Sequence, residues 1–406
     1  MLVLAPLLAA SALRPLSAGD EDRIYAKVTL REGAVLEGFM RWGGTETAWV
    51  DLFNGNKEIP EEHLRQYEEL VPEAERKEDR PVYFLGFRLD DDDNDSNRRA
   101  SQVRFGQIRS IEALNRNDAR LTLRSGRQIV YRGGSNDIGR SLSSTVIEDS
   151  QKGDVKLRWH QIERVDFQAP PQGALSKAGS RLYGTLTTDR GQEFTGYILW
   201  DRDEALTSEE LDGEQDGRDY SLKFGDIASI GKHNSWSSKV TLKSGEELIL
   251  TGTNDVDDDN RGIYVEVPEW GEVLVPWERF QKLVLTRPDK PAGYDAFAAA
   301  KGLRGTVEDE DGTRHTGNIR WDNDESFTWE TLEGENDDIG YSLLFSAIQS
   351  IEKTRAGCLV QMRGGPSMEL EDSTDVNDEN HGIFVETDEG KRVLITWKNF
   401  ARATFE

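Results

Sequence analysis

The sequence is nearly free of cysteine and poor in histidine. Cys358 is the only cysteine among 406 residues, so no disulfide forms within the chain. The five histidines do not recur at equivalent positions of the repeats described below, and a zinc site is therefore not expected. The sequence also lacks a Gly-x-Ser-x-Gly elbow, a His-Glu-x-x-His pair and a phosphate-binding loop. No familiar catalytic motif indicates an enzyme.

Long hydrophobic runs are missing as well. The run Leu2–Leu13 is too short to cross a membrane, and no later stretch approaches the ~20 apolar residues that a spanning helix needs. Ser17 and Ala18 are small residues just before the polar Gly19, which is typical of a signal-peptidase site. We expect a signal peptide over residues 1–18 and an exported protein, periplasmic or extracellular, with no membrane span in the mature chain.

Positive charge is in short supply. The chain has 50 basic and 76 acidic residues and a net charge of −26. Such a surface repels phosphate backbones, so nucleic acid is not an expected partner. Solubility or a salty habitat is a sufficient explanation of the acidity. The hydrophobic content of 36% and the ten tryptophans are enough for packed cores.

What the sequence does contain is a pattern written three times. A Gly-x-[hydrophobic]-x-Trp segment recurs at Gly38–Trp42, Gly196–Trp200 and Gly317–Trp321. A [Val/Leu]-x-Phe-x-x-Ile-x-Ser-Ile segment follows each copy, at Val103–Ile111, Leu222–Ile230 and Leu343–Ile351. A long fixed period indicates one structural unit copied in tandem. We place repeat 1 at residues 22–168, repeat 2 at 180–286 and repeat 3 at 302–405.

Repeat 1 carries an insertion. Trp200 follows Trp42 by 158 residues, whereas Trp321 follows Trp200 by only 121, and the extra length falls at about residues 57–99. Pro60 is a favourable helix start. A helix there would place four apolar side chains on one face, namely Leu64, Tyr67, Leu70 and Val71. The acidic run Asp90–Asp95 then predicts a solvated loop.

Each repeat divides into two related halves of about five short strands. Apolar and polar residues alternate, and Ser-Gly or Gly-Gly turns separate the strands, as in Leu121–Gly126 and Val240–Gly245. The turn before the last strand of each half resembles that of small SH3-like or Sm-like barrels. We therefore predict an all-β protein of three tandem repeats, each of two SH3-like units, six in total. The alanine-rich segment Tyr294–Lys301 predicts a short helix between repeats 2 and 3.

Two aspartate-rich loops are candidates for binding a metal ion. Their alternate oxygen-bearing side chains suit calcium, and the candidate ligands are Asp255, Asp257, Asp259, Asp375, Asn377 and Glu379. An EF-hand is excluded, because the glycine is misplaced and the twelfth position has no glutamate. An Asx-type turn, in which these side chains bond the local backbone, explains the same residues.

A second acidic set follows two of the repeated tryptophans. It consists of Asp201, Asp203 and Glu204 in repeat 2 and of Asp322, Asp324 and Glu325 in repeat 3. Paired carboxylates perform acid–base chemistry in glycosidases, so a carbohydrate-active hydrolase is one hypothesis. Repeat 1 has Gly43, Gly44 and Glu46 at this place and lacks the pair.

The tryptophans fall into two classes. Six recur at fixed points within strands and are expected to pack in the core, namely Trp42, Trp159, Trp200, Trp277, Trp321 and Trp397. The other four, Trp49, Trp236, Trp270 and Trp329, are the better candidates for binding a ligand such as a sugar ring, and the predicted ligand site consists of Trp236, Trp270 and Trp329.

The functional prediction is an exported, non-enzymatic interaction or scaffold protein of the cell envelope that binds a protein or a glycan. Repeat proteins with extended surfaces generally bind along them. The alternatives are a calcium-dependent structural or adhesive protein and the carbohydrate-active hydrolase.

Overall fold

The protein is built from antiparallel β-sheets. The computed structural model describes residues 20–71, 83–84, 87–88, 98–133 and 135–406. Strands contain 52% and helices 9% of the residues, which confirms the all-β class. The predicted signal peptide and the acidic run Asp90–Asp95 lie outside the described residues. No helix in the described part is both long enough and apolar enough to cross a membrane.

The strands follow the chain in three sets. Repeat 1 contains β1 (Tyr25–Leu30), β2 (Val35–Arg41), β3 (Leu52–Glu58), helix α1 (Glu61–Leu70), β4 (Tyr83–Phe84), β5 (Phe87–Arg88), β6 (Arg98–Arg104), β7 (Ile108–Ala113), β8 (Ala119–Leu123), β9 (Gln128–Arg132), β10 (Thr145–Asp149), β11 (Gly153–Leu157) and β12 (Ile162–Phe167). Repeat 2 contains β13 (Tyr183–Thr188), β14 (Glu193–Leu199), β15 (Glu210–Gln215), β16 (Arg218–Lys223), β17 (Ile227–Asn234), β18 (Ser237–Leu242), β19 (Glu247–Thr251), β20 (Ile263–Val267), β21 (Gly271–Val275) and β22 (Phe280–Leu285). Repeat 3 contains β23 (Arg304–Asp309), β24 (Arg314–Arg320), β25 (Thr331–Asn336), β26 (Ile339–Leu344), β27 (Ile348–Lys353), β28 (Cys358–Met362), β29 (Ser367–Leu370), β30 (Ile383–Thr387), β31 (Arg392–Ile395) and β32 (Phe400–Phe405). Short 3-10 helices lie at Phe105–Gln107, Trp159–Gln161, Phe224–Asp226, Tyr294–Ala296, Phe345–Ala347, Thr374–Val376 and Trp397–Asn399.

One strand order recurs along the chain. The sheet of repeat 1 runs β11-β10-β2-β1-β12-β7-β8-β9-β3-β6. The ten strands of repeat 2 run β21-β20-β14-β13-β22-β17-β18-β19-β15-β16, which is the same order in equivalent strands. Repeat 3 keeps the order β31-β30-β24-β23-β32-β27-β28-β29, and its β25–β26 hairpin belongs to the sheet of repeat 2.

The two halves of a repeat exchange a hairpin. In repeat 1 the β3–β6 hairpin of the first half pairs with β9 of the second half, at Asn56 opposite Arg132. In return the β10–β11 hairpin of the second half pairs with β2 of the first, at Ile147 opposite Met40. Each half thus gives its third and fourth strands to the other, and none of the three large sheets closes into a barrel. The prediction of six separate SH3-like barrels is not confirmed.

The glycine of the repeated Gly-x-[hydrophobic]-x-Trp segment permits this exchange. A Cβ on Gly38 would overlap the carbonyl oxygen of Glu148 on the exchanged strand β10. Gly196 meets Glu266 of β20, and Gly317 meets Glu386 of β30, in the same way. A side chain would push the incoming strand away, so only glycine allows the two backbones to approach this closely.

The repeated tryptophans form the centre of each core, as predicted. The side chains of Trp42, Trp200 and Trp321 are fully buried. Each indole meets the second repeated tryptophan edge to face, with ring centroids 6.5 Å apart for Trp42 and Trp159 and 6.3 Å apart in repeats 2 and 3. Edge-to-face contact is a favoured geometry for aromatic pairs, and it explains why both tryptophans recur.

Repeats 2 and 3 are joined through their sheets. Strand β21 pairs with β26 from Gly271 opposite Leu343 to Leu274 opposite Gly340, which gives one twelve-stranded sheet. One hydrophobic core continues across this joint. The covalent linker follows the surface of repeat 1: the Tyr294 hydroxyl donates to the Ile108 carbonyl at 3.0 Å. This anchoring limits the predicted helix to a 3-10 turn at Tyr294–Ala296.

The insertion ties repeat 1 to repeat 3. Helix α1 begins at Glu61 directly after Pro60, which confirms the predicted start. Tyr67 and Val71 pack on Phe384 and Leu394 of repeat 3. The amphipathic helix therefore covers the β30–β31 hairpin.

Replacing Gly196 with alanine tests the close approach of the exchanged hairpin. We expect Gly196→Ala to lower the free energy of unfolding by about 3 kcal/mol, because the new methyl overlaps backbone atoms that cannot rotate away. Denaturant unfolding measures the effect. Gly231→Ala in β17 is the matched control, since its Cβ would meet nothing closer than 3.9 Å and the change should be nearly neutral. Equal effects of the two substitutions would contradict the explanation.

Candidate functional site

In repeat 2 and again in repeat 3, the aspartate-rich loop lies against the acidic set that follows the repeated tryptophan. In repeat 2, Asp201 accepts the backbone N–H of Arg261 at 2.5 Å and the Arg261 guanidinium at 2.9 Å. The Asn254 amide donates to the same carboxylate. In repeat 3, Asp322 accepts the backbone N–H of His381 and lies 3.1 Å from its Nδ1. The aspartate-rich loop thus packs on the turn that follows the repeated tryptophan.

One aspartate of each loop anchors the exchanged hairpin. The carbonyl oxygen of Asp255 accepts the Trp200 indole N–H at 3.0 Å, and its carboxylate accepts the backbone N–H of Asp212 in β15 at 2.7 Å. Asp375 makes the equivalent bonds to Trp321 at 2.9 Å and to Glu333 in β25 at 2.8 Å. Asp255 and Asp375, predicted as metal ligands, therefore lie in the second half of their repeat and hold both the core tryptophan and the exchanged hairpin of the first half.

Repeat 1 has the same anchor, which the sequence analysis missed. The Asp137 carbonyl accepts the Trp42 indole at 3.1 Å, and the Asp137 carboxylate accepts the backbone N–H of Asn54 in β3 at 2.7 Å. We call Asp137, Asp255 and Asp375 the anchor aspartates. The available signal was the recurring pair of Asp followed by Ile or Val, at Asp137-Ile138, Asp255-Val256 and Asp375-Val376.

The remaining predicted metal ligands lie in the turns that follow. Asp257 accepts the backbone N–H of Asp259 at 3.1 Å, and Asn377 accepts that of Glu379 at 2.8 Å. These are the bonds of the Asx-type turn. Within the described part of the chain, no group of three or more His, Cys, Asp or Glu side chains is placed to hold a metal ion. Calcium binding at these loops stays a prediction.

A glutamate accompanies each anchor aspartate. In repeat 2, burial, together with the charges of Asp255, Asp203 and Asp201, raises the pKa of Glu204 to about 9. Burial also raises the pKa of Asp255 to about 6. Glu46 beside Asp137 follows the same rule, because burial and then the Asp137 charge hold its pKa well above the usual range. Two carboxylates this close repel each other when both are ionised, so one of them tends to keep its proton.

Repeat 3 adds a lysine from repeat 1 to the same arrangement, in which burial also raises the pKa values of Glu325 and Asp375 well above their usual ranges. Lys57 Nζ lies 2.5 Å from Glu330 Oε1, 3.4 Å from Asp324 Oδ2 and 3.8 Å from Glu325 Oε1. Burial opposes the charge of Lys57, but these carboxylates outweigh it and raise the Lys57 pKa well above its ordinary value. The groups line a cavity of ≈ 240 Å³ between the two repeats.

A second cavity of ≈ 460 Å³ lies between repeats 1 and 2. Its wall contains Glu266 and Glu272, directly opposite each other on β20 and β21. Burial and the Glu266 charge raise the pKa of Glu272 well above its usual range. The Arg104 guanidinium of repeat 1 lies 3.6 Å from Glu266 and donates to the Val267 carbonyl at 2.8 Å. Charged groups thus line both cavities between repeats.

The three candidate tryptophans have different surroundings. Trp236 is 67% exposed at the tip of the β17–β18 hairpin. Trp270 is partly buried against the common core of repeats 2 and 3. Trp329 is 3% exposed and stacks on Phe327 with a centroid distance of 6.4 Å, so its ring is not available to a ligand. Of the three, Trp236 presents the most ring surface to solvent.

The hydrolase hypothesis rests on carboxylates that the structure places at different depths. Asp201 is fully buried and paired with Arg261, whereas Asp203 is 62% exposed. Glu204 lies between them in exposure and has the raised pKa described above. Hydrolysis through these groups stays a prediction.

The raised pKa of Glu204 predicts how stability depends on pH. The folded chain keeps this carboxyl protonated to about pH 9, whereas the unfolded chain ionises it near its ordinary 4.5. The stability that the buried, protonated Glu204 carboxyl allows is complete below about pH 4.5. It is lost as the pH rises toward about 9. We expect Glu204→Gln to be more stable than the parent protein by several degrees at about pH 8, with a smaller advantage at about pH 5.

Thermal unfolding at both pH values measures this advantage. Glu193→Gln, on the exposed edge of β14, is the control and should change little at either pH. An advantage of Glu204→Gln that is equal at both pH values would contradict the prediction.

Comparison with known protein families, with characterised protein sequences and with solved structures finds no match to this chain.

Proposed function

We propose that this chain is an exported, non-enzymatic interaction or scaffold protein of the cell envelope. The observation that carries the proposal is the joint between repeats 2 and 3, where strand edges pair to extend a sheet to twelve strands. Pairing of strand edges is a general mode of protein recognition. A chain that assembles its own repeats in this way has the means to bind partners in the same way.

The use of the recurring residues supports the same function. The repeated tryptophans fill cores, the repeated glycines admit the exchanged hairpins and the anchor aspartates hold them. These residues are the features that the three repeats share, and each has an architectural task. We further propose that each repeat consists of two SH3-like halves that have exchanged a hairpin, because each half contributes five strands.

Affinity capture tests the proposed function. The mature chain, residues 19–406, is used as bait in extracts of the envelope at several salt concentrations, with protein and glycan partners both scored. We expect a specific partner, and we expect Trp236→Ala to weaken capture of a glycan, because an exposed indole provides a stacking face. Leu175→Ala is the matched control, since Leu175 is 70% exposed in the linker before repeat 2. Absence of any specific partner would count against the proposal.

A calcium-dependent structural or adhesive protein is the second candidate function. The observation in its favour is the like charge gathered in repeat 2, where Asp201, Asp203 and Asp255 all raise the pKa of Glu204. A divalent cation would relieve this repulsion. The ligands would come from Asp257 and Asp259 together with this group.

Thermal unfolding in EDTA and in excess calcium tests the second candidate. Calcium at about 100 times its dissociation constant would add ~2.7 kcal/mol to the stability of the folded chain, a shift of several degrees. The shift should disappear in Asp257→Asn and persist in Asp289→Asn, which removes an exposed carboxylate of the linker. Identical melting temperatures with and without calcium would exclude this candidate.

A further inference from the structure

The joint between repeats 2 and 3 has counterparts elsewhere in the chain. Strand β21 of repeat 2 is equivalent in sheet order to β11 of repeat 1 and β31 of repeat 3. Its partner β26 of repeat 3 is equivalent in the same way to β6 of repeat 1 and β16 of repeat 2. The three repeats therefore have three equivalent strands at one end of the strand order, β11, β21 and β31, and three at the other end, β6, β16 and β26.

Two of these six edges meet in the joint, and two others are covered. Helix α1 lies on the β30–β31 hairpin, with Glu62 3.2 Å from Arg392. Residues Ala100–Gln102 of β6 line the cavity shared with repeat 3, and Arg99 lies 3.4 Å from His381. Contacts between repeats 1 and 3 thus screen both of these edges.

The remaining two edges, β11 and β16, are open. Among the strands that the structure describes, β11 pairs only with β10 and β16 pairs only with β15, so each ends its sheet. No residue of β16 and only Leu157 of β11 is buried, whereas every residue of β26 is buried in the joint. An unpaired strand edge presents a row of N–H and C=O groups that can accept another strand.

The register of the joint transfers directly to the open edges. In the joint, Glu272 faces Ser342, Val273 faces Tyr341 and Leu274 faces Gly340. Aligned on the repeated Trp159 and Phe224, the equivalent positions set Asp154 opposite Ser221 and Val155 opposite Tyr220. The next pair is then Lys156 opposite Asp219.

The side chains at these positions complement one another. Lys156 and Asp219 are exposed, carry opposite charges and form no ion pair with any described residue. Val155 and Tyr220 are partly buried apolar residues, as expected for a strand with one packed face. Charges on an edge strand commonly prevent pairing. Here the charges of Lys156 and Asp219 have opposite sign and lie opposite each other in the transferred register.

We propose that β11 of one copy of this protein pairs with β16 of a second copy. The inference rests on the proposed scaffold function and names its partner as the chain itself. The two edges differ, so the contact is head-to-tail and leaves one open edge at each end of a pair. Further copies add to those ends, and the product is a chain or a closed ring of molecules joined by continuous β-sheet.

Exchange of the two charges tests the proposal. We expect the full protein to self-associate with rising concentration, more strongly at low salt. Lys156→Glu alone and Asp219→Lys alone should each raise the dissociation constant about fivefold, because each puts like charges opposite one another. A mixture of the two variants should recover association, since Lys156 of one then meets Asp219 of the other. Analytical ultracentrifugation measures all four samples.

Controls separate pairing from unfolding and from general charge effects. Lys290→Glu makes the same charge change at an exposed linker residue and should leave association unchanged. Amide hydrogen exchange should slow with protein concentration in β11 and β16 but not in the edge strand β29. Both substituted side chains are exposed, so circular dichroism should show the parental fold.

Three results would overturn the proposal. They are a protein that stays monomeric at every concentration, association that neither charge variant weakens, and a mixture of variants that fails to associate. Capture from envelope extracts scores other proteins and glycans, so it can still succeed in each of these cases. Failure of the self-association and failure of the scaffold function are therefore distinguishable.

Discussion

The architecture of each repeat depends on a buried aspartate that accepts hydrogen bonds from two sides. An anchor aspartate accepts an indole N–H through its carbonyl and a strand N–H through its side chain. The indole belongs to the core of one half, and the strand belongs to the hairpin that crosses to the other half. Buried polar groups are stable only when they are hydrogen-bonded. The aspartate therefore fixes the place where the hairpin crosses to the other half, and its own carboxylate is satisfied only when the hairpin lies there. The glycine of the repeated segment provides the space.

Burial of these carboxylates creates an electrostatic cost, which raised pKa values reflect in all three repeats and which ion pairs reduce further in repeats 2 and 3. In repeat 3 a lysine from repeat 1 enters the cluster and pairs with Glu330. In repeat 2 an arginine of the same loop binds Asp201, and the neighbouring Glu204 keeps its proton. In repeat 1, Glu46 and Asp137 have raised pKa values. The same fold thus tolerates charge pairing and protonation, which are the two ways to reduce repulsion between buried acids.

Strand edges are the means by which the repeats connect. The joint of β21 with β26 buries both strands and makes repeats 2 and 3 share one core. Repeat 1 attaches through side chains instead, with Arg104 bonded to the backbone of repeat 2 and α1 packed on repeat 3. This difference leaves β11 and β16 open. The insertion that distinguishes repeat 1 therefore decides which edges of the molecule are covered.

The sequence by itself determined the all-β class, the tryptophan cores and the start of helix α1, because strand alternation, indole spacing and a proline helix start are local patterns. Only the tertiary structure decided that the halves exchange hairpins. Alternation fixes which face of a strand is buried but does not say which distant strand it pairs with. For the same reason the sequence did not show that the two acidic sets lie together, although Asp201 and Arg261 are hydrogen-bonded in the folded chain. Lys57 reaches Glu330 across 273 residues, and no local pattern encodes a contact of that length.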